Sequence, residues 1–328
     1  MRVIAIDRPG GPEVLVMATL PDPEPGPGEV LIEVAAAGVN RADLLQRQGA
    51  YPPPPGAPDT LGLECAGVIA AVGNAVTGWQ VGDRVAALLD GGGYADLAIA
   101  PATQLLPVPD HLDLVDAAAL PEAMCTAWSN LVMVGRLARG ETVLVHGGSG
   151  GVGTIAIQLA AAMSARVAAT AGGPERVARC QSLGAGIGID HLAHDPVDVI
   201  AGATAGRGAD LILDVLGAGS LAANLRALAT GGRLVIIGLQ QGRRGEVDLG
   251  LLLAKRATIH GTTLRSRPLA EKAAIVAEVR ENAWPLLGAG DPARIRPIVH
   301  ARLPLADAGH AHELLTSGAV FGKLVLVP

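Results

Sequence analysis

The sequence predicts an α/β protein, a doubly wound parallel sheet set behind a β-rich first part. Three observations carry this. From Glu141 to Thr262 short β-branched runs alternate with helix-length segments, the pattern of parallel strands covered by helices on both faces. Before about residue 120 the chain reads as short strands between dense Pro and Gly turns, a small β domain or partial barrel. Half of the 328 residues are hydrophobic and 17 % are charged, enough apolar surface for a large core and too much for a disordered chain. The expected domains are 1–120, 121–263, and 264–328 as a return to the first.

The first strand candidate is Val30–Val39, which follows the turn-rich PDPEPGPGE. Cys65–Gly73, Asp83–Leu89 and Ala95–Ala100 follow, with glycines at 91–93 between the last two. Tyr51-Pro-Pro-Pro-Pro-Gly56 is a stiff surface loop, because its fixed φ angles fit neither helix nor central strand. Ala123–Val134 has helical spacing and stops at Gly135. Glu141–His146 is a buried strand, and after the glycine run TIAIQLAAAM is an apolar helix. Ala165–Thr170 is the next strand. The helix PERVARCQSLGA starts at Pro174 and stops at Gly184. Ile187–Asp190, Ala209–Gly217, Gly232–Gly238 and Thr258–Thr262 complete the strand series, with a helix over SLAANLRALAT. The tail predicts helices at Pro268–Leu287 and Ala306–Ser317 and a last strand at Lys323–Val327. It is too short for a third domain and is expected to pack back on the first part.

Composition narrows the partners. A net charge of −6 argues against nucleic acid as the main partner, which would require a cationic face. The apolar stretches Leu249–Ala254 and Val143–Val145 are far below the roughly 20 residues of a membrane span, and MRVIAIDRPG is too short in its apolar run for a signal peptide. Cys65, Cys125 and Cys180 are widely spaced and include no CxxC, so reduced structural thiols and a cytoplasmic setting are expected. With three Trp, two Tyr and one Phe, the core must be aliphatic. Lysine occurs only at 255, 272 and 323, a bias we ascribe to codon usage.

The strongest local signal is Gly148-Ser149-Gly150-Gly151-Val152-Gly153, a GxGxxG run between a buried strand and a helix. The early glycines allow a sharp turn, Gly150 allows close approach of a pyrophosphate, and Gly153 allows close packing of helix on strand. The helix N-terminus adds unpaired N–H groups and a positive dipole end. An NAD-type site would carry a carboxylate where the second strand ends, about 20 residues on. Here Thr170-Ala171-Gly172-Gly173 has none, so nothing repels a 2′-phosphate. Arg176, one turn into the next helix, is a candidate partner for that phosphate, and His191 is a candidate cover for the adenine side. Glu175 argues the other way. The expected cofactor is NADPH.

VHGGSGGVGTIAIQLA, GVNRADLLQRQGAYPPPPG, LGLECAGVIAAVG, LRSR and FGKLVLV together resemble the medium-chain dehydrogenase/reductases. The likeness is to the zinc-free quinone oxidoreductases, the zeta-crystallin group, and within it to the p53-inducible type. It extends along essentially the whole chain. It implies a Rossmann domain, a GroES-like domain formed by both chain ends, a cofactor in the cleft, and a homodimer or homotetramer joined through the Rossmann sheet edge near Ile259. The zinc-ligand positions of the related alcohol dehydrogenases correspond here to Asn40, Leu63 and Glu122. That set is unfit for zinc, because leucine has no lone pair and an amide is a poor ligand. No metal is therefore expected, and Glu64, next to Leu63, is read as structural.

The resemblance also implies cofactor contacts at Asn40, Thr126, Leu239, Arg265, Ser266, Phe321 and Lys323. Asn40 and Tyr51 are the expected catalytic residues, Tyr51 as a phenol able to donate a hydrogen bond or a proton to an acceptor oxygen. Tyr94 is read as structural. The expected activity is NADPH-dependent hydride transfer to quinones or similar conjugated carbonyls. A 2-alkenal or enone reductase, or an NADPH-binding structural protein, stand as alternatives.

Overall fold

In the computed structural model, which describes residues 1–288 and 295–328, the turn-rich start and the later alternation resolve into two units of different architecture. One holds Met1–Cys125 with 264–288 and 296–328, and the other holds Thr126–Thr263.

The first unit opens with an antiparallel pair that the sequence pattern did not disclose, β1 (Arg2–Ile6) and β2 (Leu15–Thr19). Strands β3 (Glu29–Gly38), β4 (Glu64–Val72), β5 (Arg84–Leu88), β6 (Leu97–Pro101) and β7 (Leu105–Pro107) follow, close to the expected positions where these were predicted. The helix Arg41–Arg47, also unanticipated, begins where the Asp43 carboxylate accepts the Asn40 N–H at 2.8 Å.

The second unit is one parallel sheet. Its strands are β8 (Thr142–Val145), β9 (Arg166–Ala171), β10 (Ile187–Asp190), β11 (Ala209–Asp214), β12 (Leu228–Ile236) and β13 (Thr258–Gly261). They lie in the order β10-β9-β8-β11-β12-β13, with the reversal beside β8. Leu144, Ala168, Ile189, Ile212, Leu225 and Leu234 form its buried centre without an aromatic ring, as the composition requires. The helix expected over residues 220–230 ends at Ala227. Leu228 already pairs with Ala209, and Gly231 at φ +80° suits a bent strand rather than a helix. The helices Pro196–Ala203 and Leu249–Lys255 were not anticipated.

The returning chain adds the helix Leu269–Glu278, which loosens through a π turn at Val279–Ala283 and a 3-10 turn at Trp284–Leu286. Pro285, which lacks an N–H, ends the regular ladder there. Strand β14 (Val299–Pro304) and the helix Ala308–Thr316 precede β15 (Lys323–Val327). Strand β15 is parallel to β14 and antiparallel to β3, so the sheet order is β14-β15-β3-β4-β5-β7 with β6 also on β3. The chain end is thus an interior strand. Gly322, at φ +89°, admits it: a Cβ there would stand 2.1 Å from the Ile298 carbonyl oxygen.

A buried polar chain ties the helix Arg41–Arg47 to the helix Ala308–Thr316. The Tyr94 hydroxyl donates to Asp43 at 3.0 Å and lies 3.3 Å from His312 Nε2, while Arg47 Nη1 lies 3.4 Å from His312 Nδ1. Arg47 can only donate, so His312 accepts at Nδ1 and carries its proton on Nε2. Burial, reinforced by the Arg47 charge, pulls His312 down to about 3, and burial pushes Asp43 up to about 6.

These shifts act on stability in opposite directions. Between about pH 3 and 6.5 the unfolded imidazole holds a proton that the folded one lacks, so His312 makes stability rise with pH. Between 3.8 and about 6 the folded Asp43 keeps a proton that the unfolded one has lost, so Asp43 makes stability fall with pH. His312→Gln removes only the first contribution. Relative to the parent, its stability in urea should fall as pH rises from 4 to 6, with a slope of at most about 1.4 kcal/mol per pH unit. Parallel curves for the two proteins would refute the buried neutral imidazole.

Candidate functional site

Strand β8 ends at a turn whose shape its glycines permit. Gly147 sits at φ +67°, its N–H meets Thr170 Oγ1 at 3.2 Å, and the Gly148 N–H meets the Thr170 carbonyl at 2.8 Å. Gly150 caps the helix Gly151–Ala162 with no side-chain bond, leaving the first-turn N–H groups without a side-chain acceptor. A Cβ at Gly153 would fall 2.1 Å from the Gly147 carbonyl oxygen, whereas one at Gly150 would find only that oxygen, at 3.4 Å. The first glycine is fixed by packing; the second keeps a backbone face open. This is a cradle of the kind a pyrophosphate fills, and the residues fit a dinucleotide.

A chain that the sequence reading missed holds this turn. His146 Nε2 lies 2.7 Å from Asn224 Oδ1, Asn224 Nδ2 donates to Ser220 Oγ at 3.1 Å, and Ser220 donates to Asp214 Oδ1 at 3.0 Å. Asn224 offers its oxygen, so His146 donates from Nε2 and its Nδ1 faces Thr170 Oγ1 at 3.2 Å. Burial lowers the pKa of His146 and keeps the imidazole neutral for this role. A histidine directly after a wholly buried strand is its one sign in the sequence.

Beyond β9, Gly172 stands against His191: a Cβ there would be 3.5 Å from His191 Nε2. Gly173, at φ +84°, donates its N–H to Asp190 Oδ1 at 2.9 Å, and Leu192 donates to the same oxygen at 3.1 Å. These two backbone bonds lower the Asp190 pKa. The carboxylate absent from the end of β9 is therefore supplied at the end of β10, but it is engaged by backbone. Arg176 is half-buried in the helix Pro174–Ser182, and Ser149, Gly151 and Val152 are half-buried on the turn. Thr126 is buried, its carbonyl accepting from Asn130 at 2.8 Å, and Leu239 is exposed after β12.

In the first unit, Asn40, Glu64 and Lys323 form one cluster. Lys323 Nζ donates to Glu64 Oε1 and, at 2.6 Å, to Asn40 Oδ1; Asn40 Nδ2 donates to Glu64 Oε1 at 2.8 Å, and the Glu122 N–H donates to Glu64 Oε2 at 2.9 Å. Glu64 is 0 % exposed and Lys323 5 %. Both carboxylate oxygens are used, Leu63 beside them is hydrocarbon, and among the described residues no group of three His, Cys, Asp or Glu side chains converges to hold a metal ion. The donor set does not fit zinc. The three cysteines are free and buried, and burial raises the thiol pKa of each, as for structural thiols.

The structure joins Tyr51 to Arg265, whose guanidinium carbon lies 5.6 Å from the Tyr51 ring centre. Arg265 Nε donates to the Asp90 carbonyl at 2.7 Å, and Lys272 takes both Asp90 carboxylate oxygens. Burial, then the Glu122 charge, raises the Tyr51 pKa, so the phenol is a protonated donor at neutral pH. Ser266 is exposed, and Phe321 is buried with its N–H 3.4 Å from His300 Nδ1. Tyr94, read as structural, has its hydroxyl on Asp43. Lys272 and Asp90 lacked any motif that would have signalled them.

Comparison with known proteins agrees with this architecture. Residues 26–110 match the alcohol dehydrogenase GroES-like domain, and residues 151–280 match the zinc-binding dehydrogenase family. The chain is 33 % identical to the quinone oxidoreductase of Rattus norvegicus, over 100 % of this chain and 98 % of that one. Among solved structures, a Pseudomonas syringae quinone oxidoreductase shares 31 % identity with a TM-score of 0.88, covering 100 % of this chain and 99 % of the other. The Escherichia coli quinone oxidoreductase complexed with NADPH shares 28 % with a TM-score of 0.86, again over 100 % and 99 %. The chain therefore belongs to the medium-chain dehydrogenase/reductase superfamily. Within it, the full-length likeness places the chain in the quinone oxidoreductase family.

The buried ion pair gives a stability prediction. Lys323→Met removes the cation from buried Glu64 and should lower unfolding free energy by about 3 kcal/mol, whereas adding Glu64→Gln should recover part of that loss. Additive losses across Lys323→Met, Glu64→Gln and the double variant in denaturation would show that the groups do not depend on each other.

Proposed function

We propose that the protein is an NADPH-dependent, zinc-independent reductase that passes hydride to quinones. The observation that carries this is the open backbone face at Gly150 above the N-terminus of the helix Gly151–Ala162, in a chain whose full-length relatives are quinone oxidoreductases. NADPH, when bound, supplies the hydride. The residues that would hold it are the turn Gly148–Gly153 for the pyrophosphate, and Gly172, Gly173, Arg176 and His191 at the ends of β9 and β10 for the adenosine 2′-phosphate half. Thr126, Leu239, Ser266 and Phe321 are assigned to the remaining contacts. Asn40, fixed by Lys323 and Glu64, positions the nicotinamide side. Tyr51 donates a hydrogen bond or a proton to the acceptor oxygen as negative charge gathers there. No metal is used, so the acceptor is polarised by hydrogen bonds alone. The protein belongs with the zeta-crystallin type of the family and works in the cytoplasm. It assembles as a homodimer or homotetramer through the edge strand β13, a reading favoured by the neighbouring exposed leucines Leu249 and Leu253, which are 66 % and 76 % exposed.

Steady-state kinetics with both nicotinamide cofactors against quinones and linear enals tests the reading. Quinone turnover with NADPH supports it; turnover of enals with none of quinones would make the protein an enone reductase instead, and NADPH binding without turnover of either would leave a nucleotide-binding structural protein. Arg176→Ala should raise KM for NADPH tenfold or more and leave that for NADH nearly unchanged. Equal losses for the two would remove the 2′-phosphate assignment. The glycines separate fold from binding. Gly150→Ala should fold normally yet lose NADPH affinity, whereas Gly153→Ala should lower the melting temperature first, because its Cβ meets the Gly147 carbonyl. Normal NADPH affinity in Gly150→Ala would move the pyrophosphate elsewhere.

A further inference from the structure

Arg265 is an anomaly among the buried charges of the first unit. It is 4 % exposed, its Nη1 and Nη2 are closed off from solvent, and neither has a hydrogen-bond partner among the described residues. Its one bond runs from Nε to a backbone carbonyl, that of Asp90. The Asp90 carboxylate does not bond it and is instead held through both oxygens by Lys272, itself buried. A buried cation with two idle donors is costly to keep unless its charge has a use. What faces the guanidinium is the Tyr51 ring, 5.6 Å from ring centre to guanidinium carbon.

We propose that Arg265 is a positioning residue for Tyr51, a cation left without a carboxylate so that it can hold the phenolate formed when Tyr51 gives its proton to the reduced acceptor. The proposal rests on the reductase reading above. In the step itself the Tyr51 O–H bond breaks, an O–H bond forms on the acceptor oxygen, and the electron pair of the broken bond stays on the phenol oxygen. The acceptor has by then received its two electrons as hydride, and solvent water returns a proton to Tyr51. The surroundings are otherwise unfavourable to a phenolate. Burial opposes it first, then the charges of Glu122 and Asp90, and Arg265 is the group that favours it. Asp43, Asp90 and Glu122 face Arg265 in turn, and Lys272 Nζ touches its carbonyl at 3.4 Å. A neutral residue at 265 would therefore leave the charges of Glu122 and Asp90 unopposed at Tyr51, which could donate a hydrogen bond but only poorly release the proton.

The chain has two tyrosines, and Tyr94 is wholly buried on Asp43 with its pKa raised well above the usual value. Fluorine NMR of protein carrying 3-fluorotyrosine at both positions therefore gives two resonances, assigned by Tyr51→Phe. In Arg265→Met and Arg265→Gln the Tyr51 transition should move up by about one pH unit, with Tyr94 unmoved, and Arg265→Lys should restore most of the shift. Arg265→Met should also lower kcat for a quinone tenfold or more with a smaller change in KM. A Tyr51 transition that stays within about 0.3 pH unit in the neutral variants would overturn the proposal. If neither neutral variant folds, Arg265→His carries the test: the introduced imidazole is uncharged in the alkaline range where a phenol titrates, so the Tyr51 transition should again move up by about one pH unit, and no shift would likewise overturn the proposal. Wild-type protein that turns over no quinone refutes the reductase reading, while the titration still decides whether Arg265 governs Tyr51.

Discussion

The first unit depends on a buried ion pair between residues 259 positions apart, Lys323 and Glu64. Glu64 lies at the start of β4 with no exposure to water, and the ammonium that neutralises it arrives only with β15. A carboxylate buried there without its cation would be strongly destabilising, so the β3–β4 region is complete only with β15 in place. The sheet order repeats this dependence, since β15 fills the place between β14 and β3. Asn40 is fixed by the same two groups through its oxygen and its nitrogen. Its side-chain orientation is therefore set by the chain closure together with a local bond from Nδ2 to the Gly38 carbonyl at 3.4 Å. The pair also decides the chemistry available to the cluster. Where a metal would need lone pairs, this chain offers an amide already committed, a hydrocarbon and a carboxylate already neutralised.

The same logic sorts the other buried charges. Lys272 on Asp90 is a second compact ammonium on a carboxylate, and Lys255 donates to the Arg226 and Leu228 carbonyls. Each of the three lysines is thus bonded to carboxylate or carbonyl acceptors. A lysine concentrates its charge at one point and suits a single buried acceptor group, whereas the planar guanidinium spreads its charge and can lie against an aromatic face. Arg47 follows the pattern in part, bonding the Gly10 carbonyl and facing neutral His312. Arg265 departs from it: Lys272 holds the Asp90 carboxylate, and Arg265 bonds the Asp90 backbone carbonyl instead.

The parallel sheet was legible because its signals are local: β-branched runs, the glycine turn, Pro174 at a helix start and Gly184 at its stop. Ile187–Asp190 and Lys323–Val327 coincide with the expected strands. Elements that depend on tertiary partners were not legible. β1 and β2 are short and half exposed, and β14 is recognisable as a strand only when β15 lies beside it. The helix Arg41–Arg47 is set by the Asn40–Asp43 cap, which the family likeness covered as a string of letters without declaring a helix. At the site, the glycine turn could be read because backbone geometry there is written in residue type. The ion pair, the Tyr51–Arg265 contact and the His146 chain bring together residues far apart in the sequence, and no periodicity encodes such meetings.

The His146 chain shows how a turn made of glycine can nonetheless be rigid. Glycine gives the backbone freedom to adopt the cradle but no side chain to hold it there. That holding is done from behind: Thr170 at the end of β9 bonds Gly147 and His146, and His146 is bound through Asn224 and Ser220 to Asp214 at the end of β11. Asp214 in turn accepts the N–H groups of Leu216 and Gly217 in the next loop. The ends of β8, β9 and β11 are thereby fixed to one another by polar bonds that reach beyond the strand ladders. A preorganised backbone cradle discriminates phosphate from other groups but not one dinucleotide from another. In the proposed reading, selectivity falls to side chains outside the turn: Arg176, Glu175 and His191, on the helix after β9 and the loop after β10.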